Sequence, residues 1–266
     1  MFLMLRQIRC HHIRVSSDYS GRAVLVTGGT KGLGRSVAAA FAAAGADVLV
    51  CARNAPDGAV ASQFVAGDLR DPEQAAAVVG AVVERFGRLD VVVNNAGGSP
   101  PADAATVSPR FVEKIVALNL LAPFYVAQRA NAVMQQQETG GVIVNIGSLS
   151  GRRPSPGSAA YGAAKAGLAN LTESLAMEWA PKVRVNLVTV GYLETEQAGL
   201  FYGDAAGIAA VGATVPMGRL VQPDDVAAAC LFLASPQAAF VTGADLAVHG
   251  GGEPPTFLGA SATSSG

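Results

Sequence analysis

The chain has 266 residues, of which 50% are hydrophobic and 15% charged, which suits one large α/β domain or two small ones and excludes a wholly disordered chain. Lys and Arg total 19 against 20 Asp and Glu, so charge gives no reason to expect a nucleic-acid partner. The three cysteines form no CxxC pair, so we expect no disulfide framework and no metal. No apolar run approaches the roughly 18 residues of a membrane span, so we expect no transmembrane segment.

The two ends of the chain differ in composition from its body. Residues 2–5 are apolar, but Arg6 interrupts them, which makes the stretch too short for a secretory signal. We expect residues 1–20 to form an N-terminal extension of a cytoplasmic protein, with a mitochondrial presequence as the alternative. Residues 253–266 are rich in Pro, Ser and Gly, which predicts a C-terminal tail. A single domain is therefore expected over residues 21–252, since no linker or repeat interrupts it.

Short apolar runs alternate with helical stretches along this domain. The predicted strands cover residues 23–27, 47–51, 63–67, 89–93, 141–146, 183–188 and 245–248. The predicted helices cover residues 36–44, 72–86, 108–137, 158–179 and 222–234, and Pro123 is a possible break in the third. This alternation predicts right-handed βαβ units in a parallel sheet.

A glycine-rich turn follows the first predicted strand and precedes the first helix. It reads Thr27-Gly28-Gly29-Thr30-Lys31-Gly32-Leu33-Gly34. Glycines permit a tight turn and a close approach of the backbone, and the helix N-terminus offers free N–H groups to a pyrophosphate. Glycine turns are common by themselves, but this position, in the first βα turn, predicts a dinucleotide site.

A tyrosine and a lysine lie four residues apart in the predicted helix 158–179, so Tyr161 and Lys165 share one face. A free tyrosine has a pKa of about 10, and a nearby ammonium lowers it toward the range useful in proton transfer. Ser148 follows the fifth predicted strand, where its hydroxyl can donate to a substrate oxygen. The alternative for Ser148 is a turn residue that bonds its own backbone.

Several of these motifs occur together in the order typical of one enzyme family. They are the glycine turn, Asn94-Asn95-Ala96-Gly97, Ser148, and Tyr161-Gly162-Ala163-Ala164-Lys165. The chain resembles the short-chain dehydrogenase/reductase family, in its single-domain 3-oxoacyl-acyl-carrier-protein-reductase-like branch. The resemblance implies a Rossmann-type, doubly wound parallel seven-stranded sheet with helices on both faces. It further implies a nicotinamide cofactor, interconversion of alcohol and carbonyl, and a homo-oligomer, either dimer or tetramer.

The same resemblance assigns roles to individual residues. The implied catalytic residues are Asn119, Ser148, Tyr161 and Lys165. Asn119 would hold a water that links Lys165 to solvent, and the alternative is an Asn that satisfies local backbone groups. The implied cofactor-binding residues are Gly28, Thr30, Lys31, Gly32, Leu33, Gly34, Arg53, Asp68, Leu69, Asn95, Ala96, Gly97, Tyr161, Lys165, Gly191, Leu193 and Thr195.

Cofactor choice is predicted from the end of the second strand. By the family resemblance, enzymes that use NAD have an Asp at this position. In this chain the position is occupied by Ala52, and Arg53 follows directly. Arg53 and Lys31 suit the negative charge of a 2′-phosphate, so we expect NADP(H) rather than NAD(H). Asp68 resembles the family's acceptor for the adenine amino group, and its alternative role is to cap the helix that begins near Pro72.

The segment after the sixth strand is expected to complete the site. Val190 replaces the family's usual proline. By the same resemblance, the loop of Gly191, Leu193 and Thr195 would reach the carboxamide of the nicotinamide. Glu194 and Glu196 are expected to be solvated. Residues 195–217 are predicted to form a partly apolar lid. We therefore expect an apolar substrate, such as a 3-oxoacyl thioester or steroid-like ketone. The main alternative is a catalytically idle NADP-binding regulatory protein; a lyase or epimerase is a second.

Overall fold

A computed structural model describes residues 18–55 and 63–257. In this part of the chain, seven strands form one sheet in the order β3-β2-β1-β4-β5-β6-β7, and every neighbouring pair is parallel. The strands are β1 (Ala23–Thr27), β2 (Asp47–Ala52), β3 (Phe64–Ala66), β4 (Val91–Asn94), β5 (Gly141–Ile146), β6 (Val183–Val190) and β7 (Asp245–Val248). The predicted fold class is confirmed.

Helices connect the strands and cover both faces of the sheet. They are α1 (Gly32–Ala43), α2 (Pro72–Phe86), α3 (Pro109–Val116), a π-helical turn (Ala117–Leu121), α4 (Ala122–Met134), α5 (Ala159–Trp179), α6 (Gly199–Tyr202), α7 (Ala205–Thr214) and α8 (Pro223–Ala234). Helices α1 and α8 pack together on one face, and α2 packs with α4 on the other.

Alternate residues of each buried strand face these two helical layers. In β1, Val24 joins the core cluster that includes Phe41 of α1, whereas Leu25 joins the cluster that includes Val126 of α4. All residues of β1 are buried. A strand covered on both faces reads as a continuous apolar run, which is why the sequence located β1 and β5 with their bounds.

The predicted helix 108–137 is the element that differs most. It ends as α3 at Val116, passes through the π-helical turn and continues as α4 to Met134. Pro123 lies in the first turn of α4 rather than at a break. The π-helical turn directly precedes α4, so the missing N–H of Pro123 falls where the hydrogen-bond pattern of the helix changes. By length and composition alone, Pro109–Met134 could cross a membrane; in the fold it packs against α2, α5 and the sheet.

The domain begins earlier than the sequence predicts. Tyr19 is 4% exposed, its hydroxyl donates to the carbonyl of Leu231, and its ring stands edge-on to Phe41. Tyr19, which the prediction assigns to the N-terminal extension, therefore packs with residues of α1 and α8. The remainder of the predicted extension, residues 1–17, and residues 258–266 of the predicted tail lie outside the described residues.

Candidate active site

The predicted site residues gather at one edge of the sheet. The glycine turn follows β1, Asn95 to Gly97 follow β4, Ser148 follows β5, and Gly191 to Thr195 follow β6. All these strands are parallel, so their carboxyl ends lie together. In open α/β sheets this edge is where ligands bind.

The glycine turn is closely packed against the segment after β4. Gly28 has a φ of 64°, and a Cβ there would lie 3.1 Å from the Cα of Ala96. A Cβ on Gly34 would lie 2.3 Å from the carbonyl oxygen of Gly28, so no larger residue fits. The turn therefore fits a dinucleotide: it brings backbone, free of side chains, to the N-terminus of α1.

Thr27 connects these two segments and was not singled out from the sequence. Its hydroxyl accepts hydrogen bonds from the backbone N–H groups of Asn95 (2.9 Å) and Ala96 (3.0 Å). The Asn95 side chain in turn donates to the carbonyl oxygens of Thr27 and Gly28. The sequence feature that could have identified Thr27 is a hydroxyl-bearing residue at the last position of a buried strand. Thr27 and Asn95 thus hold the glycine turn in place.

The predicted catalytic residues Ser148, Tyr161 and Lys165 lie together. Lys165 is 4% exposed, donates to the carbonyl of Ile146 at 2.7 Å, and places its Nζ 5.8 Å from the centre of the Tyr161 ring. Ser148 forms a side-chain hydrogen bond with Tyr161, and its Oγ also accepts from the N–H of Ser150. The turn role foreseen for Ser148 and its contact with Tyr161 therefore coexist.

Burial sets the proton affinities of this group. It lowers the pKa of the Lys165 ammonium to about 8, because the charged form loses its hydration. It raises the pKa of the Tyr161 phenol, and the hydrogen bond with Ser148 opposes that rise. The direction of the Tyr161 pKa shift is thus opposite to the one predicted from Lys165 alone.

Asn119 lies within the π-helical turn and is fully buried. Its Oδ1 accepts from the N–H of Gly98 at 2.8 Å, and its Nδ2 donates to the carbonyls of Gly98 and Ile115. The side chain therefore satisfies backbone groups, which was the alternative foreseen. A Cβ on Gly97 would lie 2.7 Å from Oδ1 of Asn119 and 3.4 Å from Nζ of Lys165. Both side chains therefore lie against Gly97, so Asn119 is a neighbour of the lysine without a hydrogen bond to it.

The predicted adenosine end lies beside β2 and β3. Arg53 is exposed, and its charge helps to hold the pKa of Asp68 below its ordinary value. The larger cause is Arg70, whose guanidinium donates to both carboxylate oxygens of Asp68. Asp68 is therefore ion-paired and does not cap α2; that cap is Asp71, which accepts from the N–H groups of Glu73 and Gln74. No pattern in the sequence pointed to Arg70.

The loop after β6 lies close to the glycine turn. A Cβ on Gly32 would lie 3.6 Å from the methyl group of Thr195, and Gly191 has no room for a Cβ because His249 would lie 2.8 Å away. Val221 donates to the carbonyl of Tyr192 and accepts from the N–H of Glu194. These two backbone bonds anchor the loop without the family's proline.

Two exposed acidic residues of this loop have hydrogen-bond partners. Glu194 accepts from the side chain of Gln222 at 2.7 Å. Glu196 accepts from the N–H of Gly32 at 3.2 Å and from Arg35 at 3.1 Å. Both side chains are exposed, as expected, and each also bonds a partner from a segment distant in sequence.

A polar cluster and an apolar cavity flank the catalytic residues. Glu253 accepts hydrogen bonds from Tyr192 and Arg153, and the Tyr192 ring stands edge-on to that of Tyr202 in α6. Tyr161 lines a cavity of about 340 Å³ between α3, α5 and the segment before α3. The other residues that line it are mostly apolar, among them Ala102, Val107, Phe111, Val112 and Ala163.

Side chains of the remaining predicted residues divide by burial. Leu33 and Leu69 are buried in the core, so only their backbone can face a ligand. Thr30 is partly buried and Lys31 is exposed at the N-cap of α1.

No group of three or more His, Cys, Asp or Glu residues that could hold a metal occurs among the residues that the structure describes. Cys51 and Cys230 are buried thiols whose pKa burial raises to about 12. Neither is a good metal ligand in that state, since the thiolate is the ligating form.

We expect a chelator such as EDTA to leave turnover unchanged in a nicotinamide absorbance assay. Loss of activity that zinc restores would contradict this.

Comparisons with known proteins agree with this arrangement. Residues 28–253 match the family model described as enoyl-(acyl carrier protein) reductase. The chain is 38% identical over 240 residues to an uncharacterised oxidoreductase of Mycobacterium tuberculosis (strain CDC 1551 / Oshkosh), covering 86% of this chain and 91% of that one. It is 35% identical over 246 residues to 3beta-hydroxysteroid dehydrogenase 1 of Eggerthella lenta, with coverages of 88% and 94%.

A solved structure extends the similarity to three dimensions. The ligand-free aldohexose dehydrogenase of Thermoplasma acidophilum is 30% identical and superposes with a TM-score of 0.84, covering 94% of this chain and 98% of that chain. The family-model match over residues 28–253 spans Gly28 to Gly34, Ser148, Tyr161, Lys165 and the loop after β6.

Proposed function

Because this chain belongs to the short-chain dehydrogenase/reductase family and is an NAD(P)-dependent oxidoreductase, we propose that it reduces an apolar ketone with NADPH. The observation that carries the substrate class is the cavity of about 340 Å³ beside Tyr161, which is lined mainly by alanine, valine and phenylalanine side chains. Ligand pockets of roughly 300–1,000 Å³ with such a lining suit small hydrophobic molecules. A 3-oxoacyl thioester or a steroid-like ketone meets this description and would place the protein in lipid metabolism.

The buried group beside the cavity would carry the proton transfer. A bound reduced nicotinamide supplies the hydride that adds to the carbonyl carbon. Tyr161 gives its phenolic proton to the carbonyl oxygen, so that the C=O bond becomes C–OH and a tyrosinate remains. Ser148 donates a hydrogen bond to the same oxygen, and the Lys165 ammonium stabilises the tyrosinate. Asn119 holds the backbone around Gly98, beside the lysine.

A sugar is the second candidate substrate. The cluster of Arg153, Tyr192 and Glu253 offers hydroxyl-binding groups near the lid, and aldohexose dehydrogenase is among the structural relatives. We favour the apolar ketone because the polar groups of this cluster already bond one another, whereas the cavity beside Tyr161 is open to a ligand.

A panel of substrates tests both candidates. Steroid ketones, 3-oxoacyl thioesters and aldohexoses are each offered with NADPH and NADH, or with the oxidised cofactors, and followed at the nicotinamide absorbance. We expect turnover of an apolar ketone. Turnover of sugars alone would overturn the apolar class. Binding of NADPH without turnover of any substrate would favour the regulatory protein, although the presence of Ser148, Tyr161 and Lys165 together argues against it.

The preference for NADP(H) is proposed from the charges at the adenosine end. Arg53 is exposed beside the end of β2, and Lys31 is exposed at the start of α1. The last residue of β2 is Ala52 rather than an acidic residue. Arg70 adds a further cation, but its guanidinium is already paired with Asp68. Arg53 and Lys31 therefore remain the cations for a 2′-phosphate.

Replacing Arg53 with Ala is expected to weaken NADPH binding by about 1–3 kcal/mol, the scale of a lost charge-assisted contact. NADH binding should change little, because NADH lacks the 2′-phosphate. Cofactor titrations followed by fluorescence measure both dissociation constants. Equal losses for the two cofactors, or tighter binding of NADH by the unaltered protein, would reject the assignment.

We also propose a cytoplasmic homo-oligomer, a dimer or tetramer. Large apolar side chains are exposed on α5 and around the end of α8, including Met177 and Phe240. Surfaces of this kind commonly pack between subunits.

A further inference from the structure

The N-terminus of α1 holds a carboxylate from the chain itself. Oε1 of Glu196 accepts a hydrogen bond from the N–H of Gly32 at 3.2 Å and another from Nη2 of Arg35 at 3.1 Å. Gly32 is the first residue of α1 and belongs to the glycine turn. Glu196 directly follows Thr195 at the start of the lid and precedes α6. One hydrogen bond therefore joins the lid to the turn that a dinucleotide must use.

The position attracts anions for a physical reason. The first N–H groups of a helix lack intrahelical acceptors and lie at the positive end of the helix dipole. Hydrogen bonds lower the pKa of Glu196: the largest effect comes from its own backbone N–H, and the next from the N–H of Gly32. The positive charges of Arg35 and Lys31 lower this pKa by smaller amounts. The carboxylate thus uses the same N–H and cations that suit a diphosphate.

A carboxylate and a diphosphate cannot share these groups. The N–H of Gly32 has a single proton to donate, and two anions at hydrogen-bond distance from it would repel each other. The side chains of Arg35 and Glu196 are 61% and 47% exposed, so water screens their pair and it can open readily. A cofactor that binds must displace Glu196, and Glu196 can return when the cofactor leaves.

We propose that Glu196 is an internal competitor for the cofactor diphosphate, which weakens dinucleotide binding and speeds cofactor release. This inference rests on the proposed dinucleotide site at the glycine turn. It does not depend on the substrate or on the preference for NADPH. Since NADPH and NADH carry the same diphosphate, the effect must be equal for both.

The test compares two variants that remove the same charge from neighbouring positions. Glu196→Gln removes the competing carboxylate, whereas Glu194→Gln removes a carboxylate bonded to Gln222 and serves as the matched control. Dissociation constants for NADPH and NADH are measured by fluorescence titration, and dissociation rates by stopped-flow displacement. We expect Glu196→Gln to bind both cofactors about two- to tenfold more tightly, the scale of an exposed charge contact, with slower dissociation. Glu194→Gln should bind them as the unaltered protein does.

Three results would overturn the proposal. The first is unchanged or weaker cofactor binding by Glu196→Gln. The second is an equal gain in Glu194→Gln, which would show a general effect of net charge. The third is a gain confined to NADPH, which would locate the effect at the 2′-phosphate instead of the diphosphate. A failed preference for NADPH, or a sugar substrate, would overturn the proposed function and leave equal gains for both cofactors intact.

Discussion

Replacing Tyr161 with Phe is expected to lower kcat/KM by about two to four orders of magnitude, the usual scale for loss of a general acid or base. Phenylalanine keeps the ring and its packing but removes the hydroxyl that carries the proton and bonds Ser148. Cofactor affinity should change little, because the phenol is not required to hold the dinucleotide. Steady-state kinetics and a fluorescence titration of NADPH together measure the two effects.

Tyr125→Phe is the matched control for this experiment. Tyr125 lies in α4, is partly buried and belongs to the core beneath the sheet rather than to the site. Its variant should retain full activity. Near-normal turnover by folded Tyr161→Phe with bound NADPH would refute the proposed mechanism while leaving the fold and the dinucleotide site in place. Tyr161→Phe removes a hydroxyl from the ring whose centre lies 5.8 Å from Nζ of Lys165, whereas Tyr125→Phe removes one in the core.

Replacing Lys165 with Ala is expected to lower activity by about two orders of magnitude or more and to weaken cofactor binding as well. The variant loses the ammonium that stabilises the tyrosinate and, by resemblance to the family, a contact with the nicotinamide ribose. Alcohol oxidation needs Tyr161 as a base. Burial already raises the pKa of Tyr161, and loss of the ammonium raises it further, so the oxidation profile should move to higher pH.

The reduction profile provides an independent measurement. The pKa of Lys165 is about 8, and a lysine carries its charge below its pKa, so reduction by the unaltered protein should decline above about pH 8. In Lys165→Ala this decline should disappear, because the titrating group is gone. Lys114→Ala, which alters an exposed lysine of α3, should keep both the rate and the decline. An unchanged pH profile in Lys165→Ala would contradict the role assigned to the lysine.

Local patterns in the sequence were sufficient for the fold and for most of the site's framework. A parallel sheet buried on both faces leaves continuous apolar runs, so β1 and β5 were located with their bounds. The pair Tyr161 and Lys165 could be placed on one helical face from their spacing alone. The glycine turn could be placed between β1 and α1 because a helix and a strand have different periodicities.

Element ends were less well predicted. The first helix begins at Gly32 rather than at residue 36, so the last part of the glycine turn is helical. Glycine is a poor helix former, but the packing here requires it: a Cβ on Gly34 would lie 2.5 Å from the side-chain amide nitrogen of Asn95, which follows β4. Tertiary contact therefore overrides local propensity at this point of the chain.

The sequence by itself determined which residue types stand at the strand ends, and hence the family and the class of chemistry. The tertiary structure decided which of them meet. Glu196 and Gly32 are 164 residues apart, and Tyr19 and Leu231 are separated by 212. Periodicity and capping rules act over a few residues, whereas contacts at such separations form only when helices pack on the sheet. That packing also removes water around Lys165 and Tyr161, and the loss of water sets the proton affinities on which the chemistry depends.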